Sequence, residues 1–490
     1  MSRFSLEEKG GLGGNIGLAI LAQGISFVSS VMMAIVVPKA LGVGDYAYWQ
    51  LFTLYVGYIG LLLFGVHDGV FLRLGGVRVG QVDWSRIKAQ FEIIASFQAA
   101  VLLGAGVAIV LGGGATTRTV VLLFVIVDGL IVNPAAFLFY VLRAANLPNI
   151  FSLGSMLSGG VWAVLLVALT VLRPEGFFLY ALGYLFTQAL STLYCFLHFR
   201  EAFRCKAGSL RDALLDCKAD CLAGLKVTVA YYAGTLVVGS CRMLVDFKWG
   251  IEAFGLFSFS VSLVNFLLTF MAQVSMVIFP VIRRMGKQSQ GKAYLLMRGS
   301  LVSVLPLVYV LYFPACAVLE WWLPQYADSL RYLAIMLPVC FFDCKMQLLV
   351  NTYLKSMRKE NALMWINVAS LAGALALMLL VATATSSITA TAVAMVVAIA
   401  VRSIFAEVYL GRFMDVGSPT VIVSEVVLAV LFVGLVRGIV VFGTMLLGIY
   451  TLRMLLNYFI QYEGHMMGVR MQAQMRSDMF RHLETLPYRF

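Results

Sequence analysis

The chain has 490 residues, of which 61% are hydrophobic and 12% charged, with a formal net charge of +12. A soluble globular chain carries about 25% charged residues, and no water-soluble fold of this length hides so much apolar surface. Apolar runs of about 20 residues, the length of helix that crosses ~30 Å of hydrocarbon, recur between short charged turns; this excludes a β-barrel, whose strands alternate apolar and polar residues over ~10 positions.

The predicted fold is an all-α polytopic membrane protein. In chain order the spans fall at 12–37, 46–66, 91–113, 119–141, 148–172, 176–198, 222–245, 253–281, 295–318, 330–353, 362–384 and 387–410, with two more at 421–440 and 441–462. The first run is too long for a signal-peptide core and lacks a small-residue cleavage site, so it is expected to remain as a helix. Residues 200–221 mix Arg, Lys, Asp and Glu with apolar residues at helical spacing, which predicts a short linker helix between two halves.

Lys and Arg set the orientation. One set of alternate loops holds Arg3, Lys9, Arg73, Arg78, Arg86, Lys88 and Arg143. It continues through the cluster from Arg200 to Lys226, the cluster from Arg283 to Arg298, then Lys355, Arg358, Lys359, Arg402 and Arg412. The opposite set holds Lys39, Arg118, Arg173, Arg242, Lys248 and Arg331, a bias of about 23 to 6. Cations stay on the cytoplasmic side during insertion, so the N-terminus is expected inside. The same bias accounts for the net charge without nucleic-acid binding.

The chain repeats itself. Gly42 to Trp49 follows the first helix and Gly250 to Phe257 the seventh, an offset of 208; Tyr140 with Tyr353 and Gly160 with Gly373 correspond at an offset of 213. Six spans in each half, with a shared order of markers, predict two six-helix lobes of like topology around a central cavity. The expected boundaries are 1–200 and 222–415 for the lobes, 201–221 for the linker and 416–490 for two extra helices.

Several stretches carry a family resemblance. Gly24-Ile25-Ser26-Phe27-Val28, Tyr48-Trp49-Gln50-Leu51-Phe52, Gly65 to Gly76, and Phe342 to Asn361 resemble bacterial polysaccharide flippases. These form the O-antigen and capsule branch of the multidrug/oligosaccharidyl-lipid/polysaccharide (MOP) superfamily, and the likeness covers about residues 1–415. It implies passage of an undecaprenyl-pyrophosphate-linked oligosaccharide through the central cavity to the periplasmic leaflet of a bacterial inner membrane. Membrane lipids and polysaccharide polymerase machinery are the implied partners, and no cofactor is implied. The family's sugar contacts vary with its glycans, so no site residue is carried over.

Candidate residues come instead from the cost of placing ionisable groups inside a membrane, which marks them as functional hypotheses. Arg242, Lys345 and Arg402 are candidates for lining the cavity. Asp343 and Lys345 lie on different helix faces and are not expected to neutralise each other. Arg73 and Arg143, at cytoplasmic helix ends, could receive a pyrophosphate through charge-assisted hydrogen bonds, with positive-inside anchoring as the plainer role. Asp68, Asp128 and Asp343 are candidates for a coupling proton or sodium ion.

Other motifs are negative. Gly286 to Ala293 nearly spells a phosphate-binding loop, but Ala293 stands where Ser or Thr would ligate magnesium and no strand precedes it, so ATP is not an expected partner. The eight cysteines and four histidines lack the convergence of a zinc site. From about Gly443 to Phe490 the chain resembles the second transmembrane helix of an ABC exporter membrane domain, stopping where a nucleotide-binding domain would follow. The competing classes are a cation-coupled drug antiporter, which calls for an anionic cavity, and a membrane glycan polymerase or ligase, which calls for a long periplasmic loop. The loops here are short.

Overall fold

The computed structural model describes residues 12–414 except 76, 78, 113, 115, 146, 147, 201, 285, 286, 305 and 358, together with 419–435, 450, 453, 454, 472–479 and 481. Among them every regular element is helical. The first group comprises α1 (Leu12–Ile35), α2 (Val43–Ile59), α3 (Val66–Leu74), α4 (Trp84–Gly112), α5 (Thr117–Ala144), α6 (Pro148–Leu172) and α7 (Phe178–Phe199). The second comprises α8 (Leu210–Trp249), α9 (Ile251–Arg284), α10 (Lys287–Val304), α11 (Pro306–Trp322), α12 (Ser329–Lys345), α13 (Glu360–Thr385) and α14 (Ile388–Met414), followed by α15 (Pro419–Leu435). Nine spans among the described residues are long and apolar enough to cross a membrane, or ten when α2 and α3 count as one bent span. The chain is a multi-pass membrane protein.

Within the first group α1 packs on α6, α6 on α7, α4 on α5, and α5 on α2, α3 and α7. The second group pairs α8 with α13, α13 with α14, and α12 with α9 and α14. Helices α3 and α4 lie against α8, and α1 and α2 against α9, so these four contacts join the halves. Aromatic packing fills the first group, with Trp49 stacked on Trp162 at 5.8 Å and Phe52 edge-on to Tyr184 at 5.7 Å.

The second expected span, 46–66, is broken near its end. A 3-10 turn at Gly60–Leu63 and left-handed residues at Phe64 (φ 47°) and Gly65 (φ 77°) bend α3 by 58° from α2. A break inside a membrane leaves carbonyls that need donors. Asn133 Nδ2 of α5 donates to Ile59 O at 3.3 Å, and Gln98 Nε2 of α4 to Leu62 O at 3.5 Å.

The bend lays α3 along α8 at backbone distance. A Cβ at Gly69 would lie 1.9 Å from Asp220 O, and one at Gly224 1.9 Å from Gly65 O. Only glycine permits that approach, the familiar use of small residues where transmembrane helices touch. The expected linker helix at 201–221 is replaced by an uninterrupted 40-residue helix, because 210–221 is the first part of α8 and its Asp220 is buried against α3 and α4. At ~1.5 Å per residue α8 is about 60 Å long, longer than a bilayer core.

Two cations counted as loop residues are buried instead. Arg298 of α10 is 4% exposed and Arg402 of α14 is 6% exposed, each paired with a carboxylate. Helix α12 contains Pro338 and runs into a π-helical segment at Met346–Asn351 directly after Lys345. Helix α15, which follows these two groups, stacks Phe432 on Tyr309 of α11 at 4.5 Å. The exporter-like stretch from Gly443 to Phe490 lies outside the described residues except at 450, 453, 454, 472–479 and 481.

Candidate functional site

A cavity of about 610 Å³ lies where α1, α2, α6 and α7 of the first group face α8 and α9 of the second. Gln50, Trp162, Tyr184, Arg242, Asn265 and Phe266 give its wall most of its chemical character, and serines and threonines fill the gaps between them. Arg242 is the one charged lining residue among those described, and no carboxylate lines the cavity.

Arg242 is held by a cross-half hub. Its Nε donates to Ser258 Oγ at 3.1 Å, and its Nη2 donates to both the backbone O and Oε1 of Gln50, at 3.1 and 2.9 Å. The Gln50 amide in turn donates to Tyr46 Oη at 2.6 Å and Ser262 Oγ at 2.8 Å. The guanidinium also lies 5.2 Å from the Phe254 ring centroid. Its Nη1 takes part in none of these bonds. A guanidinium fixed at two nitrogens with the third free is preorganised for an anion, because orienting it at binding costs little further side-chain entropy.

Seven of the lining hydroxyls follow one rule. On the first group Ser29 donates to Gly159 O (2.9 Å), Ser30 to Ser26 O (2.9 Å), Thr53 to Gln50 O (3.0 Å) and Ser158 to Ser155 O (3.2 Å). Thr187 donates to Tyr184 O at 2.7 Å. Across the cavity Ser262 donates to Ser258 O (3.0 Å) and Thr269 to Asn265 O (2.8 Å). A hydroxyl has one proton and two lone pairs, and in a helix its proton goes to a backbone carbonyl nearby.

Side-chain contacts join the halves at both ends of their junction. Toward the Leu74 end of α3, Arg73 forks onto Asp220 at 2.8 and 2.9 Å and also reaches Gln90 at 2.8 Å, while Thr228 donates to Asp68 at 2.7 Å. Toward the Gly42 and Gly250 turns, Tyr46 packs edge-on against both Phe259 and Tyr326. There Lys39 Nζ donates to Trp322 O at 2.6 Å and Gln325 to Pro38 O at 3.2 Å. Arg118 forks onto Asp246 at 2.7 and 2.8 Å at the same end.

The sequence candidates separate accordingly. Arg242 lines the cavity. Lys345 does not: it is 2% exposed, 2.7 Å from Glu407 and 2.6 Å from Glu425, inside the second group. Arg402 likewise points away from the cavity, pairing with Asp343 of α12 and donating to Gly234 O at 3.0 Å. The two-residue spacing of Asp343 and Lys345 thus serves two separate ion pairs. Arg73 is engaged by Asp220, and Arg143 is exposed above the Phe151 ring at 4.8 Å. Asp68 is engaged by Thr228. Asp128, midway along α5, is fully buried and neither of its oxygens has a hydrogen-bond partner.

The sequence reading did not single out Gln50, Gln90, Asp220, Glu407 or Glu425. The membrane cost of a carboxylate would have marked Glu407 and Glu425, the latter the lone charge in its apolar run. Gln50 carries no charge and no spacing signal; only the fold brings it to Arg242.

No family model matches the sequence, and no curated protein matches it. Solved structures do share its fold. One is described as an inward-closed lipid II flippase MurJ (TM-score 0.63, 11% identity, covering 91% of this chain and 99% of that one). Another is an inward-facing multidrug resistance MATE family transporter of the MOP superfamily (TM-score 0.56, 14% identity, covering 81% and 94%), and a third is a MATE structure in complex with MaL6 (TM-score 0.53, 11% identity, covering 81% and 96%). The chain is therefore a multi-pass membrane protein with the helical fold of MOP-superfamily transporters.

Proposed function

We propose that the protein is a transporter, not an enzyme, that moves an undecaprenyl-pyrophosphate-linked oligosaccharide from the cytoplasmic to the periplasmic leaflet of a bacterial inner membrane by alternating access. The observation that carries this reading is the cavity wall: polar, rich in hydroxyls, and bearing Arg242 as its one charged residue among those described. Such a wall is complementary to a glycan with an anionic linkage. An organic cation would meet a fixed positive charge with no carboxylate to offset it, which disfavours drug–cation exchange.

Alternating access requires each joined end to separate in turn, with the Gln50–Arg242 hub between them. An anionic group reaching Arg242 Nη1 would compete with Gln50 for the guanidinium and so loosen a contact between the halves. Substrate binding then favours the rearrangement through differential contacts in the two states. In this scheme Arg143, exposed at a helix end, is the outlying cation that first meets the pyrophosphate, whereas Arg73 joins the halves.

For a coupling ion we assign Asp128 rather than Asp68 or Asp343, since those two already have partners. A buried carboxylate with no bond to either oxygen is costly when ionised, so a proton is the ion that suits it.

The test is transbilayer movement of an undecaprenyl-pyrophosphate oligosaccharide in liposomes containing the purified protein. Movement should occur with the wild type and fall more than tenfold with Arg242→Gln. Absence of movement by the folded wild type, together with uptake of an organic cation, would transfer the assignment to a drug antiporter.

A further inference from the structure

The hydrogen-bond directions around the cavity go further than its polarity, and deepen the flippase reading on which this inference rests. Ser29, Ser30, Thr53 and Ser158 on one side, and Ser262 and Thr269 on the other, each donate their single proton to a backbone carbonyl. Each can offer an occupant only lone pairs while that bond is kept. Gln50 is committed to Tyr46, Ser262 and Arg242. Free protons remain on Arg242 Nη1, the Asn265 and Gln188 amides, Trp162 Nε1 and the Ser155 hydroxyl.

The geometry points to a wall that reads hydrogen-bond donors: we infer that the cavity takes a glycan through its free hydroxyl or amide protons, with one anionic group docked on Arg242, and discriminates against the same glycan with its hydroxyls blocked. The physical reason is asymmetry. A buried acceptor facing a donor gains a bond, whereas the same acceptor facing an ether oxygen is desolvated without one, at roughly 1–3 kcal/mol per group. A wall of freely rotating hydroxyls would tolerate either, because each can reverse direction. Here the helix carbonyls fix that direction. An equally polar ligand lacking donors is rejected in the way that sites built for a hydroxyl reject analogues without it.

The experiment is equilibrium binding to the full-length protein in lipid nanodiscs of two probes, a prenyl-pyrophosphate disaccharide with free hydroxyls and the same compound permethylated. The free glycan should bind at least tenfold more tightly. Thr53→Val and Thr269→Val, which replace an acceptor by a methyl group of like size, should each narrow that ratio severalfold by weakening the free glycan alone. Equal binding of the two probes would overturn the inference while leaving the flippase reading intact. Failure of both probes to bind, with binding of an organic cation by the same preparation, would overturn the inference and the reading together.

Discussion

Removal of the Glu425 carboxylate tests whether α15 belongs to the bundle. Arg298 pairs with Glu407, and Lys345 lies between Glu407 at 2.7 Å and Glu425 at 2.6 Å; all four side chains are at most 5% exposed. Two cations and two anions make the cluster neutral. In Glu425→Ala the cluster carries a net positive charge with no route to water. At an effective dielectric of ~20, two charges about 2.6 Å apart attract by roughly 6 kcal/mol. Glu407 remains, and relaxation recovers part of the loss, so the expected net cost is about 3 kcal/mol, the lower end for breaking a buried pair. If the second group of helices unfolds as a unit of about 200 residues, the melting temperature of the purified full-length protein should fall by roughly 6–12 °C. Lys345→Met combined with Glu425→Leu restores neutrality and should melt near the wild type. A Glu425→Ala protein melting within a degree of wild type, or a double variant as unstable as the sum of its singles, would refute the reasoning.

The remaining expectations concern the tail, the two ends and the hub. A chain ending near Gly417 lacks Glu425 and should lose about as much stability as Glu425→Ala, measured by the same melt. Gly69→Ala and Gly224→Ala each place a methyl where backbone atoms lie 1.9 Å away; spin labels on α3 and α8 should move apart by a few ångströms, and an unchanged distance would refute the close-packed seam. Arg118→Ala removes a fork whose arginine side chain is 47% exposed, so stability should change by about 1 kcal/mol or less, while thiol labelling of a cysteine at Ser262 should accelerate. Arg242→Lys keeps the charge but not the fork to Gln50 and Ser258; transport should fall between wild type and Arg242→Gln, and equal loss in both would point to geometry rather than charge.

Much of the architecture was legible in residue order. Apolar run length marked the helices, because a bilayer requires their backbone bonds to be made internally, and the repeated Gly42 and Gly250 turns pointed to two sextets. The bend at Gly65 was not legible, since Gly60 and Gly65 read alike in a straight or a broken helix until α4 and α5 supply Gln98 and Asn133 as donors. Residue identity showed which groups are costly in a membrane. It did not show which of them face each other. Lys345 and Arg402 read as cavity cations because their partners, Glu407, Glu425 and Asp343, lie 62, 80 and 59 positions away. Helix packing alone decides whether a buried charge is neutralised by a neighbour or left for a ligand, and here it neutralised both and left Arg242 in the cavity. The direction of the wall's hydroxyls is likewise a tertiary property, because serine and threonine carry the same proton wherever they stand and only the folded helices determine which side of the oxygen the cavity meets.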